Sequence, residues 1–348
     1  MAERRHMESS GKVAVDPPRA PAPSTRAAAG NTPFFIVGCG RSGTTLLRLM
    51  MTGHSGIEIP PETWFILSLV RKFSLRDELM PSDVAEVVTL ITDDYRWPDM
   101  GMAADSFLNR ALALERPHLV DVINIIYDHH LGLSKKRRFG DKTPAYIEIV
   151  RELGDLYPGA KFIHLLRDGR DVAISFIHLG WIGGYRCYER DFEWTRALRF
   201  RDAYRQTDLD HRILDIKYED LLREPEATVR AICDFLGEDF EPAMLDVSRR
   251  TDLVPARERK IHPKLDEPLS TEAIDRWRTT LSAVACFIME ACLQRNLRQW
   301  GYQLRFSSLR WRPILIAAGW VLLAVGPLLA KGIPYLQRHR YLSRTIYI

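Results

Sequence analysis

Residues 34–47 read FFIVGCGRSGTTLL, and this stretch decides the fold class of the chain. The apolar run at 34–37 is typical of a buried strand that ends at glycine, and helix-forming residues follow from Thr44 to about Met51. A strand, a glycine-rich loop and a helix in this order are the context of a phosphate-binding loop, in which backbone N–H groups at the helix N-terminus face an anion. The stretch therefore predicts an anion site over residues 38–45.

The predicted loop lacks the lysine of nucleotide triphosphatases. Thr44 follows Gly43 where those enzymes place the lysine that contacts the γ-phosphate, and the nearest cation is Arg41. The strand at 161–167 also ends in arginine rather than in a magnesium-binding aspartate. Arg41 offers a planar fork suited to a tetrahedral oxyanion, and Thr44 and Thr45 add hydroxyl donors. We expect an anion with less charge than a magnesium triphosphate, and a 5′-phosphosulfate fits.

The rest of the chain alternates between strand-like and helical segments. Strand-like segments lie at 57–59, 161–167 and 212–221, residues 139–144 form a strand end or loop, and helical patterns cover most of 62–133, 146–156, 192–206, 225–236 and 271–299. Strands separated by helices predict an α/β fold, a P-loop-like doubly wound parallel sheet flanked by helices. Ligands of such sheets bind at the carboxyl ends of the strands, where the polar motifs 38–45, 139–144 and 167–175 fall.

GRSGTTLL at 40–47 and LLRDGRDVAISF at 165–176 together resemble the donor site of sulfotransferases that use 3′-phosphoadenosine-5′-phosphosulfate (PAPS). The resemblance covers roughly 34–304 and implies PAPS as co-substrate. It implies that the 5′-phosphosulfate is bound by the loop residues Arg41, Ser42, Gly43, Thr44 and Thr45. It also implies that Arg167 and Ser175 hold the 3′-phosphate, and that Tyr218 of IKYEDL (216–221) lies near the nucleotide.

One branch of that family, the tyrosylprotein sulfotransferases, is most similar in motif spacing. RSGTT at 41–45 is followed by Glu62-Thr63 at the separation of that branch's Glu-Thr pair, and GDKTP at 140–144 supplies its lysine as Lys142. The similarity implies that Glu62 accepts the proton of the acceptor hydroxyl, and that Lys142 stabilises charge on the bridging or leaving oxygen. Arg41 completes the catalytic set. Leu179 stands where that branch has an arginine, and the candidates for its later nucleotide contacts are Lys260, His262 and Lys264.

Several of these residues have a simpler alternative. Glu62 follows Pro60-Pro61 and could be a solvated acid in the first turn of a helix, and Lys142 could be a surface loop lysine. Glu219 and Asp220 could form a carboxylate pair, although adjacent acids after a strand are usually solvated. The aromatic residues that line either an acceptor cleft or the core are Trp181, Tyr185, Tyr188 and Trp194.

Net charge and cysteine spacing give no indication of nucleic-acid or metal binding. The net charge of +4 does not argue for nucleic acid, and we expect no nucleic-acid partner. The cysteines at 39, 187, 233, 286 and 292 show neither CxxC nor Cys/His zinc spacing, and we expect no metal. Their odd number and scatter fit a reducing cytosolic environment.

Two flanking segments differ from the sulfotransferase domain predicted over 33–304. Residues 1–32 are rich in Pro, Ala, Ser and charge and lack the apolar region of a secretory signal, so we predict a disordered N-terminal tail. Within 305–348, the run PILIAAGWVLLAVGPLLA at 313–330 carries no charge and has basic residues on both sides. It predicts a C-terminal hydrophobic helix that spans the membrane, lies in its interface, or packs as a buried helix or oligomer contact. We place the catalytic domain on the cytosolic side of that membrane.

The leading functional hypothesis is a PAPS-dependent sulfotransferase acting on a hydroxyl acceptor. Tyrosyl peptide, carbohydrate, lipid headgroup and small phenol are all compatible acceptors, and the segment 313–330 favours one that is lipid-linked or close to a membrane. The first alternative is a P-loop nucleotide-dependent kinase, which would need magnesium. The second is a non-catalytic membrane-bound nucleotide-binding protein.

Overall fold

The computed structural model describes residues 32–180, 192–262, 265 and 267–306. Within them lies one parallel sheet. Its strands are β1 Phe34–Gly38, β2 Ile57–Glu58, β3 Arg138–Lys142, β4 Lys161–Leu166 and β5 Ile213–Lys217. Their spatial order is β2-β3-β1-β4-β5, and every pair is parallel. The predicted α/β fold with a parallel sheet is therefore confirmed.

The central strand β1 is buried on both faces. Phe34 and Ile36 pack into one hydrophobic cluster, whereas Phe35 and Val37 pack into another, and all four side chains are fully buried. Because side chains of a strand point alternately to opposite faces, the two clusters lie on opposite sides of the sheet. Helices cover both faces, as in other parallel sheets.

The helices connect the strands and supply the two outer layers. In chain order they are α1 Thr44–Thr52, α2 Phe65–Lys72, α3 Pro81–Thr92, α4 Ala104–Leu112, α5 Leu119–Ser134, α6 Val150–Leu156, α7 Gly169–His178, α8 Glu193–Tyr204, α9 Tyr218–Arg223, α10 Pro225–Leu236, α11 Ala256–Arg259, α12 Trp277–Thr280 and α13 Ala283–Gln299. A 3₁₀ turn, Pro144–Ile149, joins β3 to α6. The predicted strand–loop–helix at 34–51 corresponds to β1 and α1.

The segment 271–299 is not one continuous helix. It consists of a 3₁₀ turn Thr271–Ala273, the short helix α12 and the long helix α13. Asp275 has a positive φ of 58°, which breaks the helical path. Ser282 then caps the new helix, since its hydroxyl accepts a hydrogen bond from the N–H of Ala285. Helical periodicity predicted the helical content of the segment but not these breaks.

The direction of winding reverses beside β1. From β1 the chain runs to β2 and back to β3 on one side, and then crosses to β4 and β5 on the other side. The carboxyl ends of β3, β1 and β4 therefore meet at the point where the strand order reverses, which is where ligands of such sheets bind. Lys142, the loop 38–43 and Arg167 follow these three strand ends.

The flanking segments fall outside this description. The predicted tail is not described over 1–31, and neither is the predicted hydrophobic helix at 313–330. Across the described ranges, no helix is both long enough and apolar enough to cross a membrane. The domain limits and the membrane segment stay predictions.

Candidate active site

The predicted anion loop forms a tight strand-to-helix turn. Arg41 and Gly43 have φ angles of 66° and 91°, in the left-handed region that favours glycine. The ring of Tyr218 lies against Gly43, in the space that a β-carbon would fill. The hydroxyl of Ser42 is buried and has no hydrogen-bond partner among the described residues. A bound anion would satisfy such a donor.

Arg167 and Ser175 lie beside this loop. Arg167 donates from Nη1 to the carbonyl of Arg41 at 3.2 Å and from Nη2 to the carbonyl of Ala273 at 2.7 Å. Its guanidinium stacks 4.6 Å from the centroid of the Tyr218 ring, and its Nε is buried without a partner in the described part of the chain. Ser175, on α7, accepts a hydrogen bond from Nε of Arg41 at 3.0 Å. The two sequence motifs thus form one cluster.

These side chains surround a cavity of about 360 Å³, the arginine cavity. Its lining includes Arg41, Gly43, Arg167, Ser175, Tyr218 and several residues between 265 and 276. Burial lowers the pKa of Arg41 to about 10, and the nearby Arg167 guanidinium lowers it in the same direction. An anion bound between the two guanidiniums would relieve their repulsion. The cavity is therefore suited to a phosphate group.

Glu62 and Lys142 form an ion pair at the carboxyl end of β3. Lys142 is the last residue of that strand, which agrees with the predicted strand end. Its side chain is fully buried, so the surface-lysine alternative is wrong. Glu62 precedes α2, has a side chain only 18% exposed, and accepts a second hydrogen bond from Nε1 of Trp64 at 2.6 Å. The solvated-acid alternative is therefore wrong as well.

The charge of Lys142 sets the protonation of Glu62. Burial by itself would raise the pKa of Glu62, but the adjacent ammonium and its hydrogen bond outweigh burial, and the pKa is lowered. Lys142 also donates to the hydroxyl of Thr45 at 3.3 Å, which links the pair to the anion loop. An ionised carboxylate and an ammonium thus stand beside the loop that follows β1.

A second cavity of about 360 Å³ opens beside Glu62, the carboxylate cavity. Its lining residues include Gly40, Thr44, Glu62, Trp64, Tyr95, Arg96, Pro144, Glu193, Arg257 and Glu258. Arg96 pairs with Asp94 at 3.1 Å, and Arg257 pairs with Asp99. Burial raises the pKa of Glu193, and the nearby charge of Glu62 raises it further. The cavity thus brings the carboxylates of Glu62, Glu193 and Glu258 together beside arginines that are themselves paired with aspartates.

The two cavities meet at Arg41 and the segment that follows α11. Arg41, Thr45, Ile261 and His262 line both. Arg41 donates from Nη2 to the carbonyl of Ile261 at 2.9 Å, and its Nη1 lies 3.3 Å from Nδ1 of His262. Nε2 of His262 lies 3.3 Å from the hydroxyl of Thr45. Burial, followed by the charges of Arg41 and Lys142, lowers the pKa of His262 to about 3, so the imidazole is neutral at physiological pH.

The three candidates for further nucleotide contacts, Lys260, His262 and Lys264, differ in their positions. His262 joins the site, whereas Lys260 is exposed and lines neither cavity, and Lys264 lies outside the described residues. Trp194 belongs to the core and donates from Nε1 to the carbonyl of Arg167 at 2.8 Å, so the core interpretation holds for this residue. Trp181, Tyr185 and Tyr188 lie outside the description.

Sequence reasoning misjudged the burial of one carboxylate, Glu219, and did not single out two others, Glu193 and Asp141. Glu219 is buried rather than solvated, because it accepts hydrogen bonds from the N–H of Asp168 at 2.9 Å and the hydroxyl of Tyr302 at 3.1 Å. Glu193 lies in the carboxylate cavity, with no motif around it in the sequence. Asp141 is fully buried beside Lys142, and its place in GDKTP was the only available signal.

Metal binding finds no support in the described residues, where no group of three His, Cys, Asp or Glu side chains is placed to hold a metal ion. The expectation of a metal-independent reaction stays a prediction.

Comparison with known proteins defines the class. A model of the Sulfotransferase family matches residues 33–242, and the chain belongs to this family. The predicted resemblance to sulfotransferases is thereby confirmed.

Relatives of the chain have more than one described role. The nodulation protein NoeE of Sinorhizobium fredii is 33% identical over 142 residues, which are 40% of this chain and 30% of that protein. The protein-tyrosine sulfotransferase of Drosophila melanogaster is 24% identical over 255 residues, 70% of this chain and 46% of the relative. The omega-hydroxy-beta-dihydromenaquinone-9 sulfotransferase Stf3 of Mycobacterium tuberculosis is 26% identical over 253 residues, 60% and 64% of the two chains. The chain thus spans less than two thirds of each of these relatives.

Solved structures agree on the fold. The sulfotransferase domain of the Synechococcus PCC 7002 olefin synthase superposes with a TM-score of 0.58 at 24% identity, covering 79% of this chain and 96% of that domain. The sulfotransferase domain from the curacin biosynthetic pathway superposes with a TM-score of 0.56 at 21% identity, covering 79% and 98%.

Proposed function

We propose that this protein transfers a sulfuryl group from PAPS to a hydroxyl acceptor. The observation that carries the proposal is the meeting of two different cavities at Arg41 and Thr45. One cavity is lined by the guanidiniums of Arg41, Arg167 and Arg276, and the other contains the Glu62 carboxylate beside the Lys142 ammonium. A donor with two anionic groups in the arginine cavity and an acceptor hydroxyl in the carboxylate cavity would therefore meet at the anion loop.

The arginine cavity fits the 3′-phosphate end of the donor. Arg167 would contribute its partnerless Nε, and Ser175 its hydroxyl. Tyr218, stacked on Arg167, would keep that guanidinium in place. Arg41 contacts Ser175, so its guanidinium would lie between the 3′-phosphate and the 5′-phosphosulfate of the donor rather than only beside the 5′-phosphosulfate.

The anion loop fits the 5′-phosphosulfate end. Backbone N–H groups of 42–45 at the start of α1, with the orphan hydroxyl of Ser42, would bind the 5′ oxygens. His262 would then give up its contacts with Thr45 and Arg41, and the bound anion would replace the imidazole as their partner. PAPS supplies the sulfuryl group, and the chain supplies position and charge.

The Glu62–Lys142 pair would couple proton transfer to leaving-group stabilisation. While paired, Glu62 is a weak base because Lys142 lowers its pKa. When Lys142 turns its N–H to the bridging oxygen, Glu62 loses its cation and burial raises its pKa. Glu62 then accepts the acceptor's hydroxyl proton as the new O–S bond forms and the old S–O bond breaks.

The acceptor is a hydroxyl compound that enters the carboxylate cavity. The names of the relatives include a protein-tyrosine sulfotransferase and a sulfotransferase of a hydroxylated dihydromenaquinone, which supports a tyrosyl or lipid-linked hydroxyl. A carbohydrate hydroxyl is the third acceptor class of the proposal. We also propose that 313–330 attaches the chain to a membrane, with the catalytic domain on the cytosolic side. The support is the uncharged run with basic flanks.

A thermal-shift titration of the full chain in mild detergent, without magnesium, tests the donor assignment. The ligands are 3′,5′-adenosine bisphosphate, ATP and 5′-AMP. A ligand at 100 times its Kd stabilises by about 2.7 kcal/mol, which is readily seen. Stabilisation by the bisphosphate alone supports the proposal. Stabilisation by ATP but not by the bisphosphate overturns it in favour of a kinase.

A further inference from the structure

Asp141 is a fully buried carboxylate without a cationic partner among the described residues. Its Oδ2 accepts hydrogen bonds from the hydroxyl of Thr63 and from the hydroxyl of Tyr127, the latter at 2.9 Å. A buried carboxylate costs several kcal/mol unless it is paired and well hydrogen-bonded, so an apolar residue would serve a purely structural role more cheaply. The position of Asp141 therefore points to a task other than packing.

Thr63 is held through all of its polar groups. Its hydroxyl donates to Asp141, its N–H donates to the hydroxyl of Thr143 at 3.1 Å, and its carbonyl accepts from the hydroxyl of Tyr146. Its side chain and backbone are buried at 1% exposure. The segment 62–64 is thus fixed against the end of β3 and the turn that follows it.

The two neighbouring pairs join the segment 62–63 to 141–142 in opposite chain directions. Thr63 binds Asp141, and the preceding residue, Glu62, binds the following residue, Lys142. Consecutive residues of a strand point to opposite faces, so the two bonds hold the segment on both sides of β3. Fixing the backbone of Thr63 fixes the point from which the Glu62 side chain extends toward Lys142.

We propose that Asp141 and Thr63 form a positioning pair that fixes the Glu62 carboxylate against Lys142. The mechanistic use of this pair rests on the proposed function, in which Glu62 is the base. Neither Asp141 nor Thr63 lines the carboxylate cavity, so both act through Glu62 rather than on the acceptor.

The titration of Glu62 tests the proposal without any acceptor. The pKa of Glu62 is measured by carbon-13 NMR of the full chain in detergent with labelled side chains, and the Glu62 signal is assigned with the variant Glu62→Gln. In Thr63→Val, we expect Glu62 to titrate at higher pH than in the wild type, because its carboxylate stays buried but loses Lys142. Thr63→Ser restores the hydroxyl and should restore the wild-type titration. A crystal structure of Thr63→Val should show Glu62 and Lys142 more than 4 Å apart.

Tyr127→Phe is the matched control, since it removes the other hydrogen bond to the same Asp141 oxygen. We expect it to lower the melting temperature and to leave the titration of Glu62 unchanged. If Thr63→Val also leaves the titration and the Glu62–Lys142 contact unchanged, the positioning role is excluded. Should Thr63→Val fail to fold, Asp141→Leu takes its place, with the same expected and contrary results.

A failure of the proposed function can be distinguished from a failure of the positioning role. A chain that does not bind 3′,5′-adenosine bisphosphate refutes the donor assignment, yet the Glu62 titration still decides whether Asp141 and Thr63 position that carboxylate.

Discussion

Nε of Arg41 donates to the hydroxyl of Ser175 at 3.0 Å, across 134 positions of sequence. Arg41 belongs to the loop after β1, and Ser175 to the helix after β4. The contact forms because β1 and β4 are neighbours and parallel, so that their carboxyl ends lie side by side. Two motifs that resemble separate phosphate sites therefore form one continuous cluster of side chains, and we expect changes in either motif to affect the other.

Replacing Arg167 should weaken donor binding more than it affects folding. Arg167→Ala removes a guanidinium from the arginine cavity, and a hydrogen bond to a charged group contributes roughly 1.5–3 kcal/mol, or about 10- to 100-fold in Kd. Isothermal titration with 3′,5′-adenosine bisphosphate measures this loss. Arg223→Ala, at an exposed position on α9, is the control and should bind like the wild type. Equal affinity of Arg167→Ala and the wild type would remove Arg167 from the donor site.

Glu62→Gln should affect turnover and spare donor affinity. General-base catalysis typically contributes 10²- to 10⁴-fold, so we expect a loss in kcat of roughly that size. The assay follows sulfuryl transfer from PAPS to the best acceptor found among tyrosyl peptides, glycosides and phenols. Bisphosphate affinity serves as the internal control and should change less than about threefold. A Glu62→Gln variant with wild-type kcat contradicts the assignment of Glu62 as base.

Gly43 should resist substitution for two separable reasons. Gly43→Ala places a β-carbon at a φ of 91° and against the ring of Tyr218. The left-handed backbone alone costs about 1–2 kcal/mol. Gly101→Ala is the matched control, because Gly101 has a φ of 63° and open space around its β-carbon position. We expect Gly43→Ala to lose more free energy of unfolding than Gly101→Ala. In a Tyr218→Ala background, the difference between the two alanine variants should become smaller. Equal losses in the wild-type background would mean that the Tyr218 ring does not restrict this site.

Asp171 should make stability fall as pH rises. Burial raises its pKa from 3.8 to about 7, so the folded chain binds this proton more tightly than the unfolded chain. The resulting stabilisation is complete below about pH 4 and is lost as pH rises through about 7. Asp171→Asn keeps the oxygen that accepts the N–H of Trp277. Denaturant unfolding from pH 4 to 8 should show that the free energy of unfolding of the variant increases relative to that of the wild type as pH rises. A constant difference between the two proteins across this range would refute the prediction. Asp234→Asn, at an exposed position on α10, is the control.

The segment 313–330 should carry the membrane attachment. Val321→Lys with Leu323→Lys places two charges near its centre, each costing roughly 2.5–3.5 kcal/mol in a spanning helix. Flotation of the expressed chain on a density gradient should then show a smaller membrane fraction. The same two lysines in place of Ala20 and Ala22, in the N-terminal segment, are the control. An unchanged membrane fraction in the first variant would place the attachment elsewhere.

Local sequence predicted the parts of the site that are made locally. The apolar run 34–37, the glycines that follow and the helix-forming residues after Thr44 all act within a few positions of one another. The same holds for β4 and the start of α7, which carry Arg167 and Ser175. The residue types of these motifs, guanidinium and hydroxyl without the lysine of a triphosphatase, also predict the class of anion.

The sequence thus determined by itself the α/β class, the anion loop and the chemistry of its donors, because backbone preference and residue type are local properties. Only the tertiary structure decided that Lys142 is buried against Glu62, that Thr63 donates to Asp141, and that Arg41 donates to the carbonyl of Ile261. These contacts join residues 78 to 220 positions apart. They depend on strand order and on the packing of both sheet faces, which no short stretch of sequence specifies.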